Sequence, residues 1–418
     1  MQFKTGTSAD TSQRDMFRPL LTDFIDRDQE LTILADRIDW DYFEQAFASL
    51  YSHTGQPAMP IRFMMGCLLL KRIYNYGDET LAKAWVMNPY MQYFCGEAYF
   101  QHTFPCDPSG FVYFRKRVGS DEIEKIFSYS VSIHQLDSRL NQALSDTTVQ
   151  ENDVMFPTDG KLAKKVIDHC NRIAHAKGVD QRQSYVRVSN QLLRDSYFGH
   201  HPRRRKKARR ARKKLRTIAG RLLRELEHKL SVEQLAGCKQ PIELYCKAII
   251  QQRSDPDKIY SLHKPFTACI AKGKAHKKYK FGNKVGLLTH PTRQVILAIK
   301  SFEGNSHDSK TIKPLLEQIQ LDRRPFPREV IFDRGGRGIK EAMGVKITTP
   351  NKANPSDSPA KTRRMRRRFR RRAGIEPLIG HLKTDHHMGQ NYLHGEETSQ
   401  INALLAAAGW NLKKWMEQ

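Results

Sequence analysis

Apolar and polar positions divide the chain into stretches of different texture. Up to about residue 135, apolar residues recur at helical spacing. Pro60 opens a stretch carrying Ile61, Met64, Met65, Leu68, Leu69 and Ile73. Asp78-Glu79-Thr80 is placed to cap a second helix through Trp85. Asp107-Pro108-Ser109 is placed to cap a third, carrying Phe111, Phe114, Arg115 and Val118. Asp121, with Glu124 three residues on, resembles a capping box and predicts the start of a fourth.

From about residue 146 the period shortens. Asp146-Thr147-Thr148-Val149 is a short strand signal of β-branched residues. A long polar stretch of helical spacing, 158–255, follows. Strand signals return at 284–289 and 294–302, with His290-Pro291-Thr292-Arg293 as the hairpin turn between them. Residues 308–319 read as a helix. Glu329-Val330-Ile331-Phe332-Asp333 reads as an apolar strand stopped by Arg334-Gly335-Gly336. A short helix and a strand at 345–349 come next. The last helix, 401–415, places Ile401, Leu404, Leu405, Ala408, Leu412 and Trp415 on one face. No internal repeat is visible. The predicted class is α/β. An all-helical N-terminal domain (1–135) precedes an α/β domain (136–418). A basic helical insertion (158–255) interrupts the α/β domain, and a packing helix (395–418) closes it.

Charge gives this layout a partner. The 418 residues carry a net charge of +27 at pH 7. Residues 203–216 hold eleven basic residues in fourteen and residues 361–372 hold nine in twelve, with no acid in either run. Like charges that dense repel one another and call for a polyanion. The predicted DNA contacts in these runs are Arg203, Arg204, Arg205, Lys206, Lys207, Arg209, Arg210, Arg368 and Arg372, with Lys383 beyond them. A solvated helix face is the other reading of such a run. The basic ends of the N-terminal helices suit DNA as well; a packing module explains them equally. Apolar residues make up 39% of the chain, enough for a sizeable core. The longest apolar run, Phe63 to Leu70, is far short of the roughly 18 residues that span a bilayer. The polar start, Met1 to Phe17, does not look like a secretory signal. Seven cysteines without a CxxC predict free thiols in a reducing cytoplasm.

Among 44 acids, Asp333 stands out at the carboxyl end of an apolar strand, where ligands collect in open α/β sheets. A turn cap is its alternative role. Glu376 is the only acid between Asp357 and Asp385. Phe369, Arg372, Glu376 and Lys383 fall within about 60° on one helix face at ~100° per residue. An ordinary i, i+4 ion pair between Arg372 and Glu376 is the plainer alternative. Gly374 and Pro377 predict that the helix bends or starts there. Asp146 is the weakest of the three by pattern, and Asp153 and Asp159 compete with it. Three carboxylates beside dense cationic charge suggest two-metal phosphodiester chemistry with Mg²⁺ or Mn²⁺. His381, His386 and His387 lack the spacing of a zinc site. No Walker loop or GxGxxG points to a nucleotide cofactor.

The spacing Phe369-x-x-Arg372-x-x-x-Glu376-x-x-x-x-x-x-Lys383 resembles the Tyr-Arg-Glu-Lys signature of bacterial insertion-sequence transposases of the DDE class, with Phe369 in place of tyrosine. Ile375 to Lys383, Asp146-Thr147-Thr148-Val149, Phe156-Pro157-Thr158-Asp159, Phe281 to Val285, Asp333-Arg334-Gly335 and Asn402 to Leu412 are similar to blocks of the insertion-sequence family numbered five, a relative of family four. Residues 40–118 look like the helical domain that precedes the catalytic core in these proteins. Gly336 stands where relatives often carry an aromatic.

The resemblance implies a ribonuclease-H-like DDE catalytic domain with the triad Asp146, Asp333 and Glu376 as catalytic residues and Mg²⁺ ligands, and it selects Asp146 over Asp159. It implies cleavage and strand transfer of element ends by a homodimer on duplex DNA, in the bacterial cytoplasm at the nucleoid. Two narrower readings stay open: a nuclease of the same fold that cuts without joining, and a DNA-binding copy without activity.

Overall fold

The structure, a computed structural model, describes residues 18–51, 59–252, 254–271, 278–322, 324–350 and 358–418. The polar N-terminal stretch weighed above lies outside them.

The helical texture of the first third is borne out by helices α1 (Leu21–Phe24), α2 (Glu30–Arg37), α3 (Trp40–Phe47), α4 (Ile61–Ile73), α5 (Asp78–Met87), α6 (Pro89–Phe94), α7 (Gly110–Arg117) and α8 (Ser120–Ser132). The caps differ in detail. In α5 the Thr80 hydroxyl accepts from Gly77 N at 2.7 Å, so the cap sits one residue before the acidic pair. In α8 it is Glu122, not Glu124, that reaches back to the Gly119 amide. Glu124 instead pairs with the buried Arg324.

A mixed sheet follows, with strands β1 (Arg139–Leu140), β2 (Ala143–Asn152), β3 (Ala268–Ala271), β4 (Tyr279–Thr289), β5 (Ile296–Phe302), β6 (Phe326–Pro327), β7 (Glu329–Ile331), β8 (Glu341–Ala342), β9 (Val345–Thr348) and β10 (Gln390–Asn391). β1 pairs only with β6. In the main sheet β5, β4 and β2 form an antiparallel meander. β7 and then β9 extend it, parallel to β2. The first strand is longer than its sequence signal. Its polar residues are accommodated by pairing: the Ser145 hydroxyl donates to Leu287 O at 3.1 Å, and Asn152 donates to Thr267 Oγ1 at 2.9 Å. A one-turn 3-10 helix at Arg334–Gly336 and the short β8 stand where a short helix was predicted, while the strand predicted at 345–349 is β9, paired with β8.

Between β2 and β3 lie α9 (Asp159–Ala176), α10 (Val186–Ser196), α11 (Pro202–Lys229) and α12 (Val232–Ile250). They close on their own apolar cluster, built from residues such as Val166, Cys170, Leu215, Leu222, Ile242 and Tyr245. The sheet and the N-terminal helices share a different, single core. Helix α13 (Ile312–Leu321) follows a short 3-10 turn, Asp308–Thr311, and packs on β4 and β5. Helices α14 (Pro359–Arg372), α15 (Ile375–Thr384) and α16 (Thr398–Met416) complete the chain. The last is buried continuously from Ile401 to Leu412, not along one stripe, because it threads between the sheet and α4 and α8. All seven cysteines are free thiols, and no described helix is long and apolar enough to cross a membrane.

Candidate active site

The site begins as a split in the sheet. β7 pairs with β2 only at Ala143 and Leu144, then leaves it at Phe332 and Asp333. β10 rejoins the same side of β2 at Glu151 and Asn152. Between these points, residues 145–150 have no strand partner on that edge among the described residues. α14 packs on β7 and α15 on β2, so both helices meet at the split. Side chains alternate along a strand, so Asp146 and Thr148 share one face of β2 and Thr147 takes the other.

Charged side chains meet there. Arg372 Nη2 lies 3.0 Å from Asp146 Oδ2 and 3.5 Å from Glu376 Oε1. Lys383 Nζ donates to Thr148 Oγ1 at 2.5 Å. Asp146 Oδ1 accepts from Thr147 N at 2.8 Å, and Asp333 Oδ1 accepts from Gly335 N at 2.7 Å. Burial pushes the Asp146 carboxyl above its usual range; Arg372 opposes that shift and the nearby Asp333 charge adds to it. Asp146 is buried, whereas the Glu376 side chain is 69% exposed at the rim. Arg372 Nε is buried without a partner.

The expected single helix face is corrected. The chain breaks after Arg372, and α15 starts afresh at Ile375. Pro377 lies in the first turn of α15, where its missing N–H costs nothing. Glu376 shares that turn, where the helix dipole favours an anion. The predicted i, i+4 ion pair and the link to Asp146 therefore coexist in one guanidinium. Phe369, at the tyrosine position, packs on the main core. A Cβ at Gly336 would lie 1.9 Å from the Phe332 ring, so the turn after Asp333 closes over that ring.

Other candidates sit elsewhere. Asp153 accepts from Gln390 beyond the end of β2, and Asp159 is exposed at the start of α9. Arg368 lies 3.0 Å from Glu329 and ties α14 to β7. Arg203, Arg204, Arg205, Lys206, Lys207, Arg209 and Arg210 are exposed along α11, while Ala208, Ala211 and Leu215 turn inward. Lys207 pairs with Asp195 of α10 at 2.8 Å. The histidine cluster is structural: His386 Nδ1 donates to Arg72 O, His387 Nε2 to Tyr76 O, and His381 pairs with Asp385.

Sequence reasoning missed Asp308, read only as a helix start. Its Oδ1 accepts from Thr147 Oγ1 at 2.9 Å and from Lys284 Nζ at 2.8 Å. Its Oδ2 would lie 2.4 Å from a Cβ on Gly335, and Asp333 Oδ1 would lie 2.9 Å from the same atom. The sole sequence signal was a Lys in the predicted second strand and an Asp just after the third.

Among the described residues, no three His, Cys, Asp or Glu side chains are grouped closely enough to hold a metal ion. The donor chemistry nevertheless fits a hard divalent cation. Asp146, Asp333 and Glu376 offer only carboxylate oxygens, and a positive group, Arg372, already lies against two of them.

Comparison with known proteins gives the family. Residues 262–412 match the model of the transposase DDE domain, which takes in Asp333 and Glu376. Residues 19–117 match the model of a transposase domain of the N-terminal helical region. The chain belongs to the insertion-sequence DDE transposases. It is therefore a DNA transposase, an enzyme whose class generally depends on a divalent metal. The transposase is also 36% identical over 184 residues to an uncharacterised protein, ORF8 of the nfe locus of Rhizobium meliloti; the match covers 43% of this chain and 89% of that protein. No solved structure matches. Neither domain model covers 118–261, so neither takes in Asp146.

Proposed function

We propose that this transposase cuts and joins insertion-sequence ends with Asp146, Asp333 and Glu376 as its metal-binding carboxylates. The observation that supports this is the Arg372 guanidinium in contact with both Asp146 and Glu376, which are 230 residues apart in sequence. A bound Mg²⁺ or Mn²⁺ would polarise the scissile phosphate and activate the attacking oxygen. Asp146 on β2, Asp333 in the turn after β7 and Glu376 at the start of α15 would hold that cation once they draw together around it. Arg372 orients Asp146 and brings its positive charge beside the carboxylates. Lys383 adds positive charge on the same face of β2. Water, and then the DNA 3′-hydroxyl it frees, would attack phosphorus in line, each displacing the 3′-oxygen opposite it as the P–O3′ bond breaks.

Finer assignments belong to the same proposal. The meander of β5, β4 and β2, continued by parallel β7 and β9, supports a ribonuclease-H-like core. The similar blocks support kinship with the insertion-sequence family numbered five. The domain limits 1–135, 136–418, 158–255 and 395–418 are retained. The family resemblance supports a homodimer on duplex DNA, working at the bacterial nucleoid.

The test uses a plasmid carrying this gene with its flanking DNA. Glu376→Gln keeps the side chain's size and removes the charge that a hard cation needs. Mg²⁺-dependent cleavage should fall by roughly 100-fold or more, as expected when several kcal/mol of transition-state stabilisation is lost, with DNA binding largely retained. Undiminished cleavage would leave Arg372 and Glu376 as an ordinary ion pair.

A further inference from the structure

Asp146 lies on β2 and Asp333 in the turn that follows β7, and these two strands pair at only two positions before they part. Their relative placement needs a further restraint. Asp308 supplies contacts that reach both. Through one oxygen it accepts from Thr147, the neighbour of Asp146, at 2.9 Å and from Lys284 at 2.8 Å. Its other oxygen lies against Gly335, whose amide donates to Asp333. Lys284 is largely buried, and its Nζ also donates to Ser306 O at 2.5 Å, which holds the 3-10 turn that carries Asp308. Strands β2 and β4, the Asp308 turn and the Asp333 turn thus converge on one carboxylate. Thr147 and Asp146 point to opposite faces of β2, so Asp308 supports the site from behind.

We propose that Asp308, held by Lys284 and Thr147, is a positioning residue for transposition: it fixes the Asp333 turn against Asp146. This rests on the assignment of Asp146 and Asp333 made above. Asp308 itself does not touch the reacting phosphate. Gly335 is glycine for the same reason, since a Cβ would meet Asp308 and Asp333 together at 2.4 and 2.9 Å.

The test compares Asp308→Ala, Asp308→Asn, Thr147→Val and the control Asp333→Asn in the full-length protein. Cleavage rate at saturating DNA, DNA affinity and the unfolding midpoint are measured for each. Misplacing a reacting constellation by about 1 Å can cost on the order of 100-fold in rate. Asp308→Ala should therefore lose about tenfold or more in saturated rate, with DNA affinity unchanged. Asp308→Asn keeps an oxygen that accepts from Thr147 and Lys284, and should restore most of that rate. Thr147→Val removes one of the bonds and should give a smaller loss; it tests the proposal even if Asp308→Ala does not fold. A normal saturated rate in Thr147→Val or in a folded Asp308→Ala overturns the proposal. So does an Asp308→Asn as inactive as Asp333→Asn, since a role in holding charge or metal would then replace positioning. Full cleavage by Asp333→Asn would instead strike at the triad itself.

Discussion

His386 and His387 join the end of α4 to the end of α15 as neutral imidazoles. Each donates to a backbone carbonyl, and burial pushes each down to about 4. Arg72 Nη1 answers by donating to Asn402 Oδ1 at 2.8 Å, and Asn75 donates to Thr384 O at 2.8 Å. An unfolded histidine titrates near 6.5, so the folded state is penalised once the unfolded chain takes up protons that it refuses. The stability from this seam is complete above pH ~6.5 and is lost as pH falls through the folded value of about 4. For the buried His386 the full loss is about 3 kcal/mol. Unfolding midpoints measured from pH 7 to 4.5 should fall, and His386→Asn, which keeps a donor but cannot ionise, should flatten the fall. An equally steep decline in that variant would remove His386 from the explanation.

At the scale of elements, packing sets the outcome more than propensity. The last helix was legible as a helix from its apolar spacing, but its burial on all sides from Ile401 to Leu412 was not. It lies against α4 with Gly409 at the contact: a Cβ there would stand 2.7 Å from Arg72 Cβ and 3.0 Å from Arg72 C. Backbone cannot yield as a flexible side chain can. Gly409→Ala should therefore destabilise the protein by about 1–3 kcal/mol, the usual cost of overpacking, despite alanine's higher helix propensity. Denaturant unfolding checks the sign: a stabilised variant would mean that the two helices part easily. The break between α14 and α15 was foreshadowed by Gly374 and Pro377. That Arg372 would still reach Glu376 across it was not, because i, i+4 geometry assumes an unbroken helix.

For the whole molecule, the two basic runs occupy different structural settings. The run on α11 is exposed on a four-helix insertion with its own core. The run on α14 leads into the site, where Arg372 is already engaged by Asp146. Each neutralised phosphate contributes about −0.9 to the slope of log affinity against log salt. Replacing four basic residues of 203–216 with Gln should flatten that slope by up to about 3.6 and leave the saturated cleavage rate nearly intact. Arg372→Gln should do the reverse, with a small loss in binding and a large loss in rate. An unchanged slope in the first variant would identify the run as a solvated face; a normal rate in the second would make Arg372 purely structural.

The chain's local chemistry determined its texture: helical first third, α/β remainder, basic insertion, two dense cationic runs, and Asp333 closing an apolar strand. These follow from spacing, turn residues and charge, which are properties of neighbours in sequence. The resemblance singled out Asp146, which spacing alone could not separate from Asp153 and Asp159. Only the tertiary structure decided the rest. The length of β2 depended on partners that satisfy Ser145 and Asn152, and the burial of α16 on the helices around it. Asp308 came to light only because Thr147, Lys284 and Gly335 meet around it from segments up to 188 residues apart. Contacts of that range are set by which strands pair and where they part, and no local period records them.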